Sequence, residues 1–185
     1  MKKAYENYPM WIVIVSNLVF LSVYFAGIYI LYLVHPLLAL LLFIYLVYME
    51  TAVYREGCVS CYYYGKVCAF GRGKIAKTFL KKGDPKKFLE KDVSFKDFIP
   101  HSLPSLVPLV AGIYLLIKSF NWFILILTIW PLIVMFFGNP IIYGELACQS
   151  CKQAKIGCPV CKFFMERAKN ENKRRAKKTR KSKAS

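Results

Sequence analysis

The sequence predicts an all-α integral membrane protein: four transmembrane helices arranged as two hairpins, with cysteine-rich loops on the cytoplasmic side. Three observations carry this prediction. The chain has apolar runs long enough to cross a bilayer, joints between them too short for anything but tight turns, and positive charge confined to one side of the resulting topology. Its 185 residues are 57% hydrophobic, yet they carry 27 Lys and Arg against 10 Asp and Glu, a net charge of +17.

The first run, residues 10–34, contains no charged side chain and exceeds the ~20 residues that a helix needs to span the hydrocarbon core. It lacks a small-residue cleavage site, so it reads as a retained span rather than a signal peptide. The second run, 37–54, is broken only by Glu50. His35-Pro36 separates these two, and proline marks a helix boundary. The third run, 105–120, is the weakest because it is short and holds Pro108 and Lys118; the fourth covers 122–143. Lys118-Ser-Phe-Asn121 is the turn between them. Residues 1–54 thus form the first hairpin, 55–100 a basic connector, 101–143 the second hairpin, 144–161 a four-cysteine cluster and 162–185 a basic tail.

Charge sets the orientation. Two Lys precede the first span, 11 Lys and Arg fall in 55–100 and 13 follow residue 144, while Lys118 alone sits in a short turn. The positive-inside rule places both termini and the connector in the cytoplasm of a multi-pass cell-membrane protein. All seven cysteines then lie where thiols stay reduced and close pairs bind metal more often than they form disulfides.

The cysteines follow one pattern twice. Cys58, Cys61 and Cys68 recur as Cys148, Cys151 and Cys158, each 90 positions later, and Cys161 completes the second set. The flanking residues do not align at that offset, so the repetition is architectural. Cys148, Cys151, Cys158 and Cys161 offer four soft thiolates at two Cys-x2-Cys knuckles, the donor set of a tetrahedral zinc site. An iron–sulfur cluster is the alternative cofactor, although familiar ferredoxin spacings differ. Cys58, Cys61 and Cys68 make a three-ligand set that is open or completed from elsewhere. A second partition joins Cys58 and Cys61 with Cys148 and Cys151, leaving Cys68, Cys158 and Cys161. The bland reading makes some of the seven buried small hydrophobes.

Cys158-Pro-Val-Cys161 also resembles the redox-active Cys-Pro-x-Cys of thioredoxin-like proteins, which implies a dithiol pair at Cys158 and Cys161. No βαβ pattern surrounds it. Tyr62, Tyr63 and Tyr64 read as headgroup-level anchors. Gly71-Arg72-Gly73-Lys74 lacks phosphate-loop spacing, although Lys66, Arg72 and Lys74 suit an anionic headgroup or thiolate charge. Gly83-Asp84-Pro85 reads as a turn into a helix with Asp84 as its cap. Phe88, Leu89, Phe95 and Phe98 then form a lipid-facing side, or a loop with scattered aromatics. Glu50 gains interest only with a buried partner such as Asn17 or Arg55. His35 and His101 are isolated, and no Ser/His/Asp arrangement or carboxylate pair points to hydrolysis. Ser16, Asn17, Ser22 and Thr128 are too few for a transport path. The tail from Lys162 to Ser185 favours anionic lipid over nucleic acid, since no aromatics interleave beyond Phe163 and Phe164.

The run from Cys58 to Gly73, followed by Lys81-Lys-Gly-Asp-Pro-Lys86, resembles a motif of uncharacterised small archaeal multi-pass membrane proteins and covers residues 55–90. That resemblance implies a shared motif and no activity. The function expected is non-enzymatic: a cysteine-ligated metal that staples the cytoplasmic loops into a platform for a lipid or protein partner. The rival is a membrane redox protein.

Overall fold

The computed structural model describes residues 4–89, 95–158 and 160–161, and every regular element among them is helical. Helix α1 spans Met10–Val34 and α2 spans Pro36–Glu56, with His35 alone between them. His35 adopts an extended backbone and returns its N–H to the Leu31 carbonyl at 2.9 Å. Its ring Nδ1 accepts the Leu37 N–H at 3.2 Å, while Pro36 takes the first helical position, where no N–H is missed. This histidine is a helix joint, and α1 carries it ~37 Å along the helix axis from the cysteines.

Helix α3 covers Arg72–Phe79 and α4 covers Pro85–Leu89. Asp84 caps α4 as expected, its Oδ1 accepting the Lys86 N–H at 2.9 Å. The lipid-facing side expected from Phe88, Phe95 and Phe98, like the tail after Cys161, lies outside the described residues and side chains. Helix α5, Phe95–Lys118, starts well before the apolar run that announces it and contains Pro100, Pro104 and Pro108. Each proline lacks the N–H that would reach the carbonyl four residues back. The Pro100 carbonyl orphaned by Pro104 is met instead by the Tyr45 hydroxyl of α2, at 2.9 Å. Pro108 is fully buried against α1 at Gly27, where a Cβ would stand 3.1 Å from its Cγ. Tertiary packing thus supplies what the proline-bearing helix lacks.

Helix α6, Trp122–Ile133, is capped by Asn121, whose side chain accepts the Phe123 N–H at 2.8 Å. It continues through two π-helical stretches, Val134–Gly138 and Pro140–Ala147. Among the described residues, three helices are long and apolar enough to cross a membrane: Met10–Val34, Pro36–Ser60 and Trp122–Ser150. The apolar part of α5, Ser102–Lys118, is shorter, and it corresponds to the weakest of the four runs in the sequence. Helix α1 packs against α2, α5 and α6. Trp130 of α6 donates to Ser22 of α1 at 2.8 Å. Phe25, Val110 and Phe137 are 70%, 69% and 68% exposed. An outer surface so apolar matches hydrocarbon and would be a liability in water.

Candidate functional site

Both cysteine sets meet at one end of the bundle and form a single head. Helix α2 runs into a 3-10 turn at Cys58–Ser60, and the π-helical end of α6 runs into another at Cys148–Ser150. Each turn closes with the N–H of its second cysteine on the carbonyl of its first, at 3.4 Å for Cys61 and 3.3 Å for Cys151. Ser60 and Ser150 are buried in equivalent positions. The repeated unit is therefore Cys-x-Ser-Cys at a helix end, a fuller repeat than cysteine spacing alone suggests.

Beyond the knuckles the two halves diverge. The first turns through Gly65 and Gly71, both with positive φ, which favours glycine. Gly73 then passes so close to the Tyr63 carbonyl that any Cβ would overlap it. The second half enters α7, Lys152–Ile156, directly. Tyr62 N–H donates to Gln153 Oε1 at 2.7 Å, and Lys152 N–H to the Tyr63 hydroxyl at 3.1 Å. These bonds join the halves.

The N-terminal segment straps the head. Tyr5 N–H donates to the Ser150 carbonyl at 3.0 Å, and the Tyr8 hydroxyl donates to the Ala147 carbonyl at 2.5 Å. On the other side, Tyr8 N–H reaches the Val67 carbonyl at 2.9 Å, and Asn7 Oδ1 accepts Val67 N–H at 3.0 Å. Tyr8 and Tyr63 stack edge to face at 5.6 Å inside a core with Ile12, Val13, Ala69 and Ala147. Tyr63 is 2% exposed, so it is the centre of the head and not the headgroup anchor expected from sequence. Tyr64 donates to the Leu80 carbonyl at 2.7 Å. The sequence reading missed Tyr5, Asn7 and Tyr8, which belong to no motif.

Cys148 and Cys161 are joined as a disulfide, with 5.4 Å between their Cα atoms. Cys58, Cys61, Cys68, Cys151 and Cys158 are free thiols, each half-buried. Among the described residues, no three His, Cys, Asp or Glu side chains are gathered as ligands for one metal ion. Cys161 is thus bonded to Cys148 and not to Cys158, its Cys-Pro-x-Cys neighbour. Cys61, Cys68 and Cys151 pack against the head core.

Burial pushes the Cys61 thiol up to about 12, opposed by the Tyr63 N–H on its sulfur and reinforced by Cys151, Cys68 and Cys158 nearby. Burial likewise raises Cys151 and Cys158. The N–H groups of Ala154 and Gln153 oppose it at Cys151, and those of Cys161 and Val160 oppose it at Cys158. Backbone N–H groups two or three residues downstream thus counter burial at three thiols. Donors of this kind favour thiolate over thiol.

Below the head, Arg72 reaches back from the start of α3 to Glu50 of α2 at 2.6 Å. Tyr24 of α1 donates to the same carboxylate at 3.0 Å, and Tyr143 is hydrogen-bonded to Arg72. Asn17 serves the loop instead, holding the Phe70 carbonyl at 3.2 Å. The partner of Glu50 is therefore Arg72, and neither Asn17 nor Arg55. Of the three cations considered for an anionic headgroup or thiolate, Arg72 is committed to Glu50 and Lys66 pairs with Glu6 at 3.1 Å. Lys74 is exposed. Comparison with protein-family models, with curated proteins and with solved structures returns no match to this chain.

Proposed function

We propose that this chain is a four-span membrane protein, two hairpins deep, whose head faces the cytoplasm. In this reading the head binds a metal through thiolates drawn from both halves. The metal, zinc in the first instance, makes the head a rigid platform for a protein or lipid partner at the inner membrane face. The orientation rests on the distribution of Lys and Arg. The observation that carries the metal reading is that Cys61, Cys68 and Cys151, drawn from both halves, pack against one core. Cys61 feels Cys151, Cys68 and Cys158 as electrostatic neighbours. Buried thiols with such high proton affinity are poor nucleophiles, whereas a divalent ion displaces the proton outright. Small side-chain rotations within this set would be required, since the sulfurs are not gathered around one point. The grouping crosses the halves in a way that neither sequence partition anticipates.

The test is metal and acid-labile sulfide content of full-length protein purified without oxygen in detergent. About one or two zinc ions and no visible absorption support the platform, and Cys61→Ser and Cys151→Ser should each lower the zinc. Iron with sulfide and a brown colour replaces it with electron transfer. Absence of any metal sinks the metal reading.

The Cys148–Cys161 disulfide favours one second reading, dithiol exchange. The Cys158 thiolate attacks Cys161 Sγ, a Cys158–Cys161 bond forms, and Cys148 leaves as thiolate without net oxidation. Acid-quenched cells alkylated under denaturing conditions would show a Cys148–Cys161 bridge if that chemistry operates, and seven free or metal-protected thiols if it does not.

A further inference from the structure

A cleft of about 340 Å³ opens in the head between the tyrosine turn, α4 and α7, apart from the free-thiol set except where Cys61 touches its wall. Its charged groups are both cations. Lys66 and Lys82 line it, and Lys82 is exposed. Gln153 lines it too, with its carbonyl oxygen held by Tyr62 N–H at 2.7 Å, so the group it has left to offer is an NH2. The nearby acids are turned elsewhere: Asp84 caps α4 through Lys86 N–H, and Glu6 is held by Lys66, Lys152 and Tyr62.

Glu6 also shows what this surface recognises. Its carboxylate collects the Lys66 ammonium at 3.1 Å, the Tyr62 hydroxyl at 3.0 Å and the Lys152 ammonium. Lys66 and Lys152 meanwhile rest over the Tyr62 ring, 4.2 and 5.5 Å from its centre. An oxyanion from this chain thus already occupies one side of the tyrosine turn, and the cleft presents a like set of donors on lining residues that include the same Lys66 and Tyr62. Pro85, Leu89 and Ile156 give the cleft an apolar wall. Gly83 N–H fastens the chain entering α4 to the Val59 carbonyl at 2.9 Å, which fixes Lys82 beside the first knuckle. That knuckle begins two residues past the end of α2.

We propose that this cleft binds a phosphate group, carried by a lipid headgroup or by a free phosphate ester, through Lys82, the Gln153 amide and Lys66, whose ammonium exchanges Glu6 for the phosphate. Ammonium groups on one tetrahedral oxyanion form charge-assisted hydrogen bonds, and the apolar wall accommodates the glycerol or other carbon skeleton behind it.

The experiment is calorimetric titration of the full-length protein, in uncharged detergent, with dihexanoylphosphatidylglycerol and separately with inorganic phosphate. Lys82→Gln and Lys66→Gln are compared with the natural protein and with Lys118→Gln, a cation at the far end of the bundle. The basic tail is present in every variant, so its contribution is constant. Loss of about tenfold in affinity for each cleft lysine, the size of one charge-assisted hydrogen bond, with no change for Lys118→Gln, is the expected result. If both probes respond in this way, a free phosphate group suffices. If the lipid alone responds, the ligand is a headgroup. Binding of neither probe, or cleft variants that bind within twofold of the natural protein, overturns the proposal.

Discussion

The two Cys-x-Ser-Cys knuckles start alike and end differently. Each follows a long apolar helix, folds as a 3-10 turn and buries its serine. The first then depends on backbone that only glycine allows and on Arg72 plugged into the bundle. The second depends on a straight run into α7, closed by Gly157 with its own positive φ, and on a disulfide, while the N-terminal strap holds both. A repeated cysteine spacing therefore encodes a local turn and no more. Which sulfurs meet, and what holds them, is decided by the chain that follows each turn.

The sharpest way to break this comparison uses one glycine from each half. At Gly73 a Cβ would overlap the Tyr63 carbonyl, and backbone cannot rotate aside as a side chain can. Gly73→Ala is expected to lower stability by about 3 kcal/mol or more, at or beyond the upper end of ordinary overpacking. At Gly144 nothing lies within 4 Å of the equivalent point. Gly144→Ala should be neutral or stabilising by up to ~1 kcal/mol, the helix-propensity gain. Thermal unfolding in detergent reads both, and equal shifts would deny the asymmetry.

Next in size is the Arg72–Glu50 pair. Removing one partner of a fully buried pair costs about 3–5 kcal/mol; these side chains remain 17% and 28% exposed, so Arg72→Met should cost about 2–3 kcal/mol. The Arg72→Met/Glu50→Met double variant should regain at least half of that, since no uncompensated carboxylate remains. Alkylation mapped by mass spectrometry then sharpens the comparison. Cys58 should lose reactivity in Arg72→Met, because its thiolate loses a positive neighbour, while Cys151 keeps its natural rate.

These effects explain how much was legible in the sequence. Apolar length and charge placement depend on composition along the chain, so α1, α2 and α6 emerged directly. Pro100 and Pro104 hid the start of α5, because the carbonyl that Pro104 orphans is met from another helix, by Tyr45 at Pro100. The cysteine pattern located the head, but it did not announce the Cys148–Cys161 bond, which leaves Cys58, Cys61 and Cys68 of the first set as free thiols. Tyr62–Tyr64 look like membrane anchors by type, yet Tyr63 is a core residue because Tyr8 and the second knuckle cover it. Tyr5, Asn7 and Tyr8 were invisible for a plain reason: their partners at Ser150, Val67 and Ala147 lie about 60 or more positions away.

The strap offers a pair of intermediate probes. Tyr8→Phe removes the donor to the Ala147 carbonyl, and Asn7→Ala removes the acceptor for Val67 N–H. Each should cost about 1 kcal/mol, the net worth of one such hydrogen bond. Their addresses differ. Tyr8→Phe should raise alkylation at Cys151 first, and Asn7→Ala at Cys68 first. If both variants expose the same cysteine, the strap clamps the head as one body and not as two knuckles.

The smallest effect concerns a carboxylate that touches both halves. Glu6 binds Lys66 of the first half at 3.1 Å and Lys152 of the second, with the Tyr62 hydroxyl at 3.0 Å between them. The geometry resembles a bridge, but Glu6 and Lys66 side chains are 59% and 39% exposed. Water and salt therefore screen most of the attraction, and Glu6→Gln should cost no more than about 0.5–1 kcal/mol. The glutamine side chain keeps an oxygen for the tyrosine and lysine hydrogens, which isolates the charge. The screening length falls from ~10 Å at 0.1 M salt to ~3 Å at 1 M, so the difference between the natural protein and the Glu6→Gln variant should fade over that range. The Tyr8→Phe deficit should persist across it, because that bond is buried and uncharged. A Glu6→Gln loss that equals Tyr8→Phe and ignores salt would mean that the halves are held by charge after all.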